Sequence, residues 1–432
     1  MNEWKKYKLG EICTDISYGY TESAVSEPIG PKFLRITDIV PNQINWLTVP
    51  YCKSTNETTE KYRLEIGDIV IARTGATTGY NKTIKKLDYE TVFASYLIRY
   101  KINKEIAYPF FVGYILQSSL WQNYVNAIIG GSAQPGANAK QFGSFEFLLP
   151  DLPTQTQIAQ ILTSFDDKIE LLGQMNQTLE TMAQAIFKEW FVDFNFPGFD
   201  GELVDGLPKG WRKGKLGEIF KTTSGGTPSR KQNEYFDDGT IDWVKSKELG
   251  DVFVLETEEK ITEKAIINSS AKMLPETSIL IAMYGATVGE ISILGKPATC
   301  NQAICAILPN QEYPFSFIYE YLKNKKDFLK KISIGAAQQN ISQMVVQNLE
   351  IQIPPQELLT KFHGFVALLY RKIKNNSIQI RTLTQLRDTL LPKLMSGAVL
   401  VFSGDNADFS DNGVMVNKVS TVPRKPTQNQ PF

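Results

Sequence analysis

Few side chains in this chain of 432 residues could do covalent or metal chemistry. There are four cysteines, Cys13, Cys52, Cys300 and Cys305, and one histidine, His363. A structural zinc site gathers thiolate and imidazole ligands at short, paired spacing. Only Cys300 and Cys305 stand close together, at the wide end of such a spacing, and no further Cys or His pair completes a set. They read as buried thiols, which pack as small apolar side chains. A nucleophile activated by histidine would rest wholly on His363, which falls inside a heptad pattern and reads as a solvated helix position. Gly75-Ala76-Thr77-Thr78-Gly79 has the glycines of a phosphate loop without its lysine. There is also no Walker A segment and no Asn-Pro-Pro-Tyr methyltransferase motif. No catalytic residue and no metal ligand is assigned.

The elements that would position a site are written twice. Lys8-Leu9-Gly10-Glu11-Ile12 recurs 207 positions on as Lys215-Leu216-Gly217-Glu218-Ile219, each copy behind an aromatic and basic lead at Trp4 and Trp211. Ile71-Ala72-Arg73-Thr74-Gly75-Ala76-Thr77-Thr78-Gly79 is answered by Ile281-Ala282-Met283-Tyr284-Gly285-Ala286-Thr287-Val288-Gly289. Tyr108-Pro109-Phe110 is answered by Tyr313-Pro314-Phe315, and Gly131-Ser132-Ala133-Gln134 by Gly335-Ala336-Ala337-Gln338. Segments matched in order with slowly drifting offsets mark a duplication. Within each half, Ile69 to Ala72 and Ser278 to Ala282 read as buried strands running into glycine turns. Tyr114 to Val125 and Phe317 to Ile332 read as helices, so each half contains a compact α+β domain.

Each half closes on a long heptad helix. The first places Ile158, Leu162, Phe165, Ile169, Leu172, Leu179, Ala183, Ile186 and Trp190 on one seam, with Asn176 among them. The second places Phe362, Val366, Leu369, Ile373, Ile380, Leu383, Leu390 and Leu394 there, with Asn376 and Arg387. Alternating steps of three and four over this length predict coiled-coil packing. If the two helices pair antiparallel with Ile158 facing Leu394, the same register sets Asn176 against Asn376. Two buried amides would then satisfy each other, whereas a slipped register would strand both. The alternative is that each asparagine faces water at a loosened seam.

Composition sets outer bounds. A hydrophobic content of 42% and a charged content of 21% describe a globular chain of two or three domains. No apolar run reaches a membrane span and Met1 to Lys8 leads into no signal core, so a cytoplasmic location is expected, with no membrane partner. Lys and Arg total 46 against 46 Asp and Glu, a balance that argues against a free-standing nucleic-acid binder unless basic faces are segregated or a partner supplies cations.

Several motifs together resemble the specificity subunits of Type I restriction–modification enzymes. The first long helix ends in Ile186-Phe187-Lys188-Glu189-Trp190-Phe191-Val192-Asp193-Phe194, similar to that family's F-K-x-W-F signature. Gly206-Leu207-Pro208-Lys209-Gly210-Trp211 resembles the turn that opens its second recognition domain. Leu149-Pro150 through Gln157-Ile158-Ala159 is similar to its lead-in to the first helix. Leu390-Leu391-Pro392-Lys393-Leu394-Met395-Ser396-Gly397 is similar to the close of the second, and Thr222 to Ser229 to the opening of a recognition domain. The resemblance covers about residues 4 to 402.

It implies a first target-recognition domain at 1–152, a first spacer helix at 153–195, a second recognition domain at 196–354 and a second spacer helix at 355–397. The helices would form an antiparallel intramolecular coiled coil, and residues 398–432 a polar, disordered tail outside the family pattern. It further implies a non-catalytic subunit that binds double-stranded DNA at a split, asymmetric site and assembles with methyltransferase subunits, two of them, and with restriction subunits. S-adenosylmethionine, ATP and Mg would belong to those partners. Trp190 and Phe191 would serve in partner docking.

Base edges are read by Arg or Lys at guanine and by Asn or Gln at adenine. The loop residues that suit this are Arg35, Arg73, Thr74, Gln134, Asn138, Lys140 and Gln141 in the first domain. In the second they are Lys245, Lys247, Tyr284, Thr287, Gln338, Gln339 and Asn340. Each residue type is equally at home as ordinary loop polarity. The basic run Lys323, Lys325, Lys326, Lys330 and Lys331 suits either phosphate contact or a solvated helix face. Helices of about 35 residues span roughly 50 Å, enough to hold two half-sites about one DNA turn apart. A stand-alone DNA-binding regulator and a coiled-coil scaffold are the rival readings.

Overall fold

The computed structural model describes residues 4–41, 44–130, 136–334 and 340–398. Gln134, Gln338, Gln339 and almost all of the expected tail lie outside the described residues. The chain divides into two compact units, Met1–Asp167 with Leu383–Phe432, and Lys168–Thr382. The units cut across the bounds read from sequence, because each takes one recognition domain together with one end of both long helices.

Those helices run Leu152–Phe191 and Gln356–Met395, 40 residues each. Their starts and their ends are both separated by 204 positions, so the duplication extends through the whole of both. The Asp151 carboxylate caps the first, accepting the Thr154 N–H at 2.9 Å, which occupies one of the unpaired donors of the opening turn.

In the first unit the main sheet is antiparallel, in the order Cys13–Tyr18, Leu97–Ile102, Ile69–Ala72, Asn81–Thr83. Lys5–Lys8 pairs separately with Glu146–Leu149, the strand that leads into the first long helix. The helical stretch expected from Tyr114 is two helices, Pro109–Ile115 and Ser119–Ile129. The Ser118 hydroxyl ends the first by donating to the Ile115 carbonyl at 2.6 Å. The core joins Ile69, Ile71, Ile98, Tyr100, Phe111 and Trp121 to Ile158, Ala159, Leu162 and Leu394, so opposite ends of the two long helices meet here.

The second unit repeats the plan. Its five-stranded sheet runs Thr222–Ser224, Ile304–Ile307, Ile279–Ala282, Ile291–Leu294, Phe253–Val254, with only the last pair parallel. Arg212–Lys215 pairs with Glu350–Ile353 ahead of the second long helix. The expected helix from Phe317 is again two, Phe315–Asn324 and Lys326–Ile334. Here the helices pair along the seam foreseen. Asn376, fully buried, donates from Nδ2 to Asn176 Oδ1 at 2.9 Å, and Asn176 Nδ2 donates to Ser377 Oγ at 3.2 Å. Trp190 packs on Phe362 at 6.0 Å between ring centroids. The amides face each other, Asn376 wholly buried and Asn176 partly so.

Each domain is joined to its own helix by an acid and a tyrosine, with the roles exchanged. In the first unit the Tyr114 hydroxyl, from the domain, donates to Asp166 on the helix at 2.6 Å; Arg387 and Lys85 approach the same carboxylate at 2.8 and 3.3 Å. In the second, the position 204 beyond Asp166 is Tyr370, whose hydroxyl donates to Glu320 on the domain. Glu320 is 1% exposed, and burial pushes its carboxyl up to about 7 despite that bond. Tyr319, Glu180 and Lys323 complete this joint, with Lys323 at 2.9 Å from Glu180.

Candidate nucleic-acid interface

Both domains build the same exposed loop from the same physical parts. A fully buried apolar strand, Ile69–Ala72 or Ile279–Ala282, runs into a 3-10 turn at Gly75–Thr77 or Gly285–Thr287. Gly75 and Gly285 have φ of 75° and 76°, in the left-handed region where a Cβ is unfavourable, and this re-aims the backbone outward. A single bridge pins each loop, Thr74 to Gly136 in the first domain and Tyr284 to Asn340 in the second. Flanking bonds reinforce it: the Ala137 N–H donates to the Arg73 carbonyl at 3.0 Å, and the Ile341 N–H to that of Met283 at 2.8 Å.

The bridges decide which expected readers come together. In the first domain Arg73 and Thr74 stand beside the segment that carries Asn138 and Lys140. Asn138 and Gln141 cap each other's backbone, Asn138 Oδ1 accepting the Gln141 N–H at 2.9 Å and Gln141 Oε1 accepting that of Asn138 at 3.0 Å. Lys140 is exposed and has no carboxylate partner among the described residues. In the second domain Tyr284, Thr287 and Asn340 share the loop, and Tyr284 is 41% exposed.

Other expected readers are occupied within the fold. The Arg35 guanidinium forks onto Asp38 through Nε and Nη2, both bonds at 3.0 Å, which commits that edge to the start of a short helix. Lys245 lies against Glu259 at 2.6 Å, and Lys247 against Glu258 at 2.6 Å. In the basic run, Lys323 pairs with Glu180, and Lys326 and Lys330 both pair with Glu290. His363 is not a solvated position: it is half-buried, bonded through Nδ1 to Ser316 Oγ at 2.9 Å and edge-on to Phe315.

Cys300 and Cys305 sit in different apolar clusters, and burial pushes both thiols up to about 12. Among the described residues no group of three or more His, Cys, Asp and Glu gathers. No described helix is long and apolar enough to cross a membrane.

Trp190 and Phe191 are 8% and 4% exposed and pack on Phe362, which sits 4.9 Å from the Phe191 ring. Their rings close the chain's own core, and Phe365, 61% exposed, lies edge-on to Trp190. Sequence reasoning missed the tyrosines around the first loop. Tyr96 and Tyr80 are 59% and 52% exposed, and Tyr18, 40% exposed, lies beneath Arg73.

The sequence matches the family described as Type I restriction modification DNA specificity domain over residues 1–181 and 208–378, a segment in each half. The chain belongs to that family. Among its relatives, the HindI specificity subunit of Haemophilus influenzae is 28% identical, over 92% of this chain and the whole of that protein. The MjaIX specificity subunit of Methanocaldococcus jannaschii is 31% identical, over 78% of this chain and 76% of its own length. The Type I S subunit from M. genitalium superposes with a TM-score of 0.60 over 91% of this chain and 96% of that one; at 18% identity, this shows a shared fold. In this specificity subunit each of the two family segments contains one copy of the pinned loop.

Proposed function

We propose that this specificity subunit binds a two-part, asymmetric DNA site, each domain reading one half through its pinned loop. It does no chemistry itself. It directs methyltransferase subunits, two per complex, and restriction subunits to the site, and these carry S-adenosylmethionine, ATP and Mg. The complex works in the cytoplasm. One observation carries the reading: a loop built identically in both domains holds unlike residues at matching places, Arg73 and Thr74 against Met283 and Tyr284. A duplicated frame with divergent contents suits recognition of two different half-sites. The two 40-residue helices set the number of unread base pairs between them.

The test is to co-express the full chain with its methyltransferase and map methylated positions across a genome. Replacing residues 1–152 by those of a relative with another specificity should rewrite one half of the motif and leave the other intact. Adding about four residues, roughly one helical turn, to both long helices should lengthen the unread gap. Both halves changing together, or a gap indifferent to helix length, would contradict the reading.

A further inference from the structure

Among the charged side chains of the first loop, Arg73 is exceptional in how it is held. Its N–H donates to the Tyr96 carbonyl at 3.0 Å and its carbonyl accepts from Ala137, so the backbone is clamped on both sides. Its guanidinium lies over the Tyr18 ring, 4.9 Å from the centroid. The Tyr18 hydroxyl is itself fixed, accepting the Ala139 N–H at 3.0 Å. Among the described residues the guanidinium has no hydrogen-bond acceptor and no carboxylate partner. Arg35 and Arg99, by contrast, are bonded to Asp38 and Asp15. A cation held against an aromatic face loses little further freedom on binding, and its edge keeps the paired donors that match O6 and N7 of guanine.

The second domain has no counterpart. Met283 takes the place of Arg73 and is 3% exposed, turned into the core. The strand pairing that ends in Tyr18 ends there in Ser224, followed by Gly225 and Gly226.

We propose that Arg73, held over the Tyr18 ring, reads a guanine in the half-site of the first domain, with Tyr18 as its positioning residue. The proposal rests on the DNA-reading function proposed above and adds the base, the reader and the domain. The experiment is methylation mapping with the full chain and its methyltransferase, comparing Arg73→Ala, Arg73→Lys and Tyr18→Phe with the parent. The half-site of the first domain is identified by the exchange of residues 1–152. Arg73→Ala should relax one guanine position of that half by roughly tenfold to hundredfold while the other half stays stringent. Arg73→Lys, which keeps the charge but lacks the fork, should relax the same position, and this holds the test open if the alanine variant fails to fold. Tyr18→Phe keeps the ring and loses the hydroxyl anchor, and should relax that position by a smaller factor. The proposal is overturned if the first half-site contains no guanine. It is also overturned if the lysine variant keeps full stringency, or if loss of Arg73 weakens binding equally at all sequences with a shallower salt dependence, the mark of a phosphate contact. A parent chain that directs no methylation to a two-part motif would instead bring down the proposed function, and this assignment with it.

Discussion

Replacing Asn176 by leucine is the sharpest test of the helix register. Asn376 is fully buried, and its Nδ2 has the Asn176 side-chain oxygen as partner at 2.9 Å, while its own Oδ1 has no hydrogen-bond partner among the described residues. Asn176→Leu therefore leaves a whole amide unpaired in the core. An orphaned buried polar group costs about 1–3 kcal/mol, so the single variant should lose about 2 kcal/mol. That corresponds to a melting shift of roughly 4–8 °C for a unit of 150–250 residues. Adding Asn376→Leu removes the stranded amide and fills the seam with apolar volume, so the double variant should return to within about 0.5 kcal/mol of the parent, or exceed it. Thermal and urea unfolding of the four proteins closes the cycle, with an expected coupling of about 2 kcal/mol. Losses that simply add would show that the two amides do not depend on each other, and the register argument would fall.

Other perturbations follow from the joints and the loop. Glu320 titrates high because it is buried, so its stabilising contribution is complete below about pH 4.5, its unfolded value, and is lost as pH rises through about 7. Glu320→Gln should abolish that component, on the order of 3 kcal/mol between pH 5 and 8, read as the difference between parent and variant unfolding curves. For Asp166, burial acts to raise the carboxyl, but Lys85, the Tyr114 hydroxyl and Arg387 outweigh it and hold it below the usual range. The stability it contributes is present above the ordinary carboxylate range and lost as pH falls; Asp166→Asn should cost about 2–3 kcal/mol at neutral pH and less in acid. Gly75→Ala and Gly285→Ala meet nothing within 4 Å, so each should cost about 1 kcal/mol from backbone strain alone, with looser half-site discrimination in methylation maps.

The repeat, the buried strands, the glycine turns and the helix register were legible because each is a periodic or local property of the chain. The Asn176–Asn376 contact could be placed from heptad arithmetic before any coordinates. Side-chain availability was less legible. Arg35 has its carboxylate three residues away at Asp38, a signal that was present but indistinct among many such pairs. Lys245 finds Glu258 and Glu259 only after the domain folds. Partner docking at Trp190 and Phe191 was implied by the family resemblance; that both are buried against Phe362, far along the chain, could not be read from residues near them. His363 was misplaced for a similar reason, since Ser316 and Phe315 belong to the globular domain and not to the helix that carries it.

The exchanged tyrosine and acid at the two joints give the chain a keyed order. By the offsets of the repeat, Ile115 stands where Glu320 does, and Asp166 where Tyr370 does. Seating the first head on the second socket would bring Ile115 to the Tyr370 hydroxyl and leave that proton no acceptor. Seating the second head on the first socket would press Glu320 against Asp166, two carboxylates with one desolvated site between them. Transposing the two heads within this chain therefore requires the matching residue on the helix to travel too.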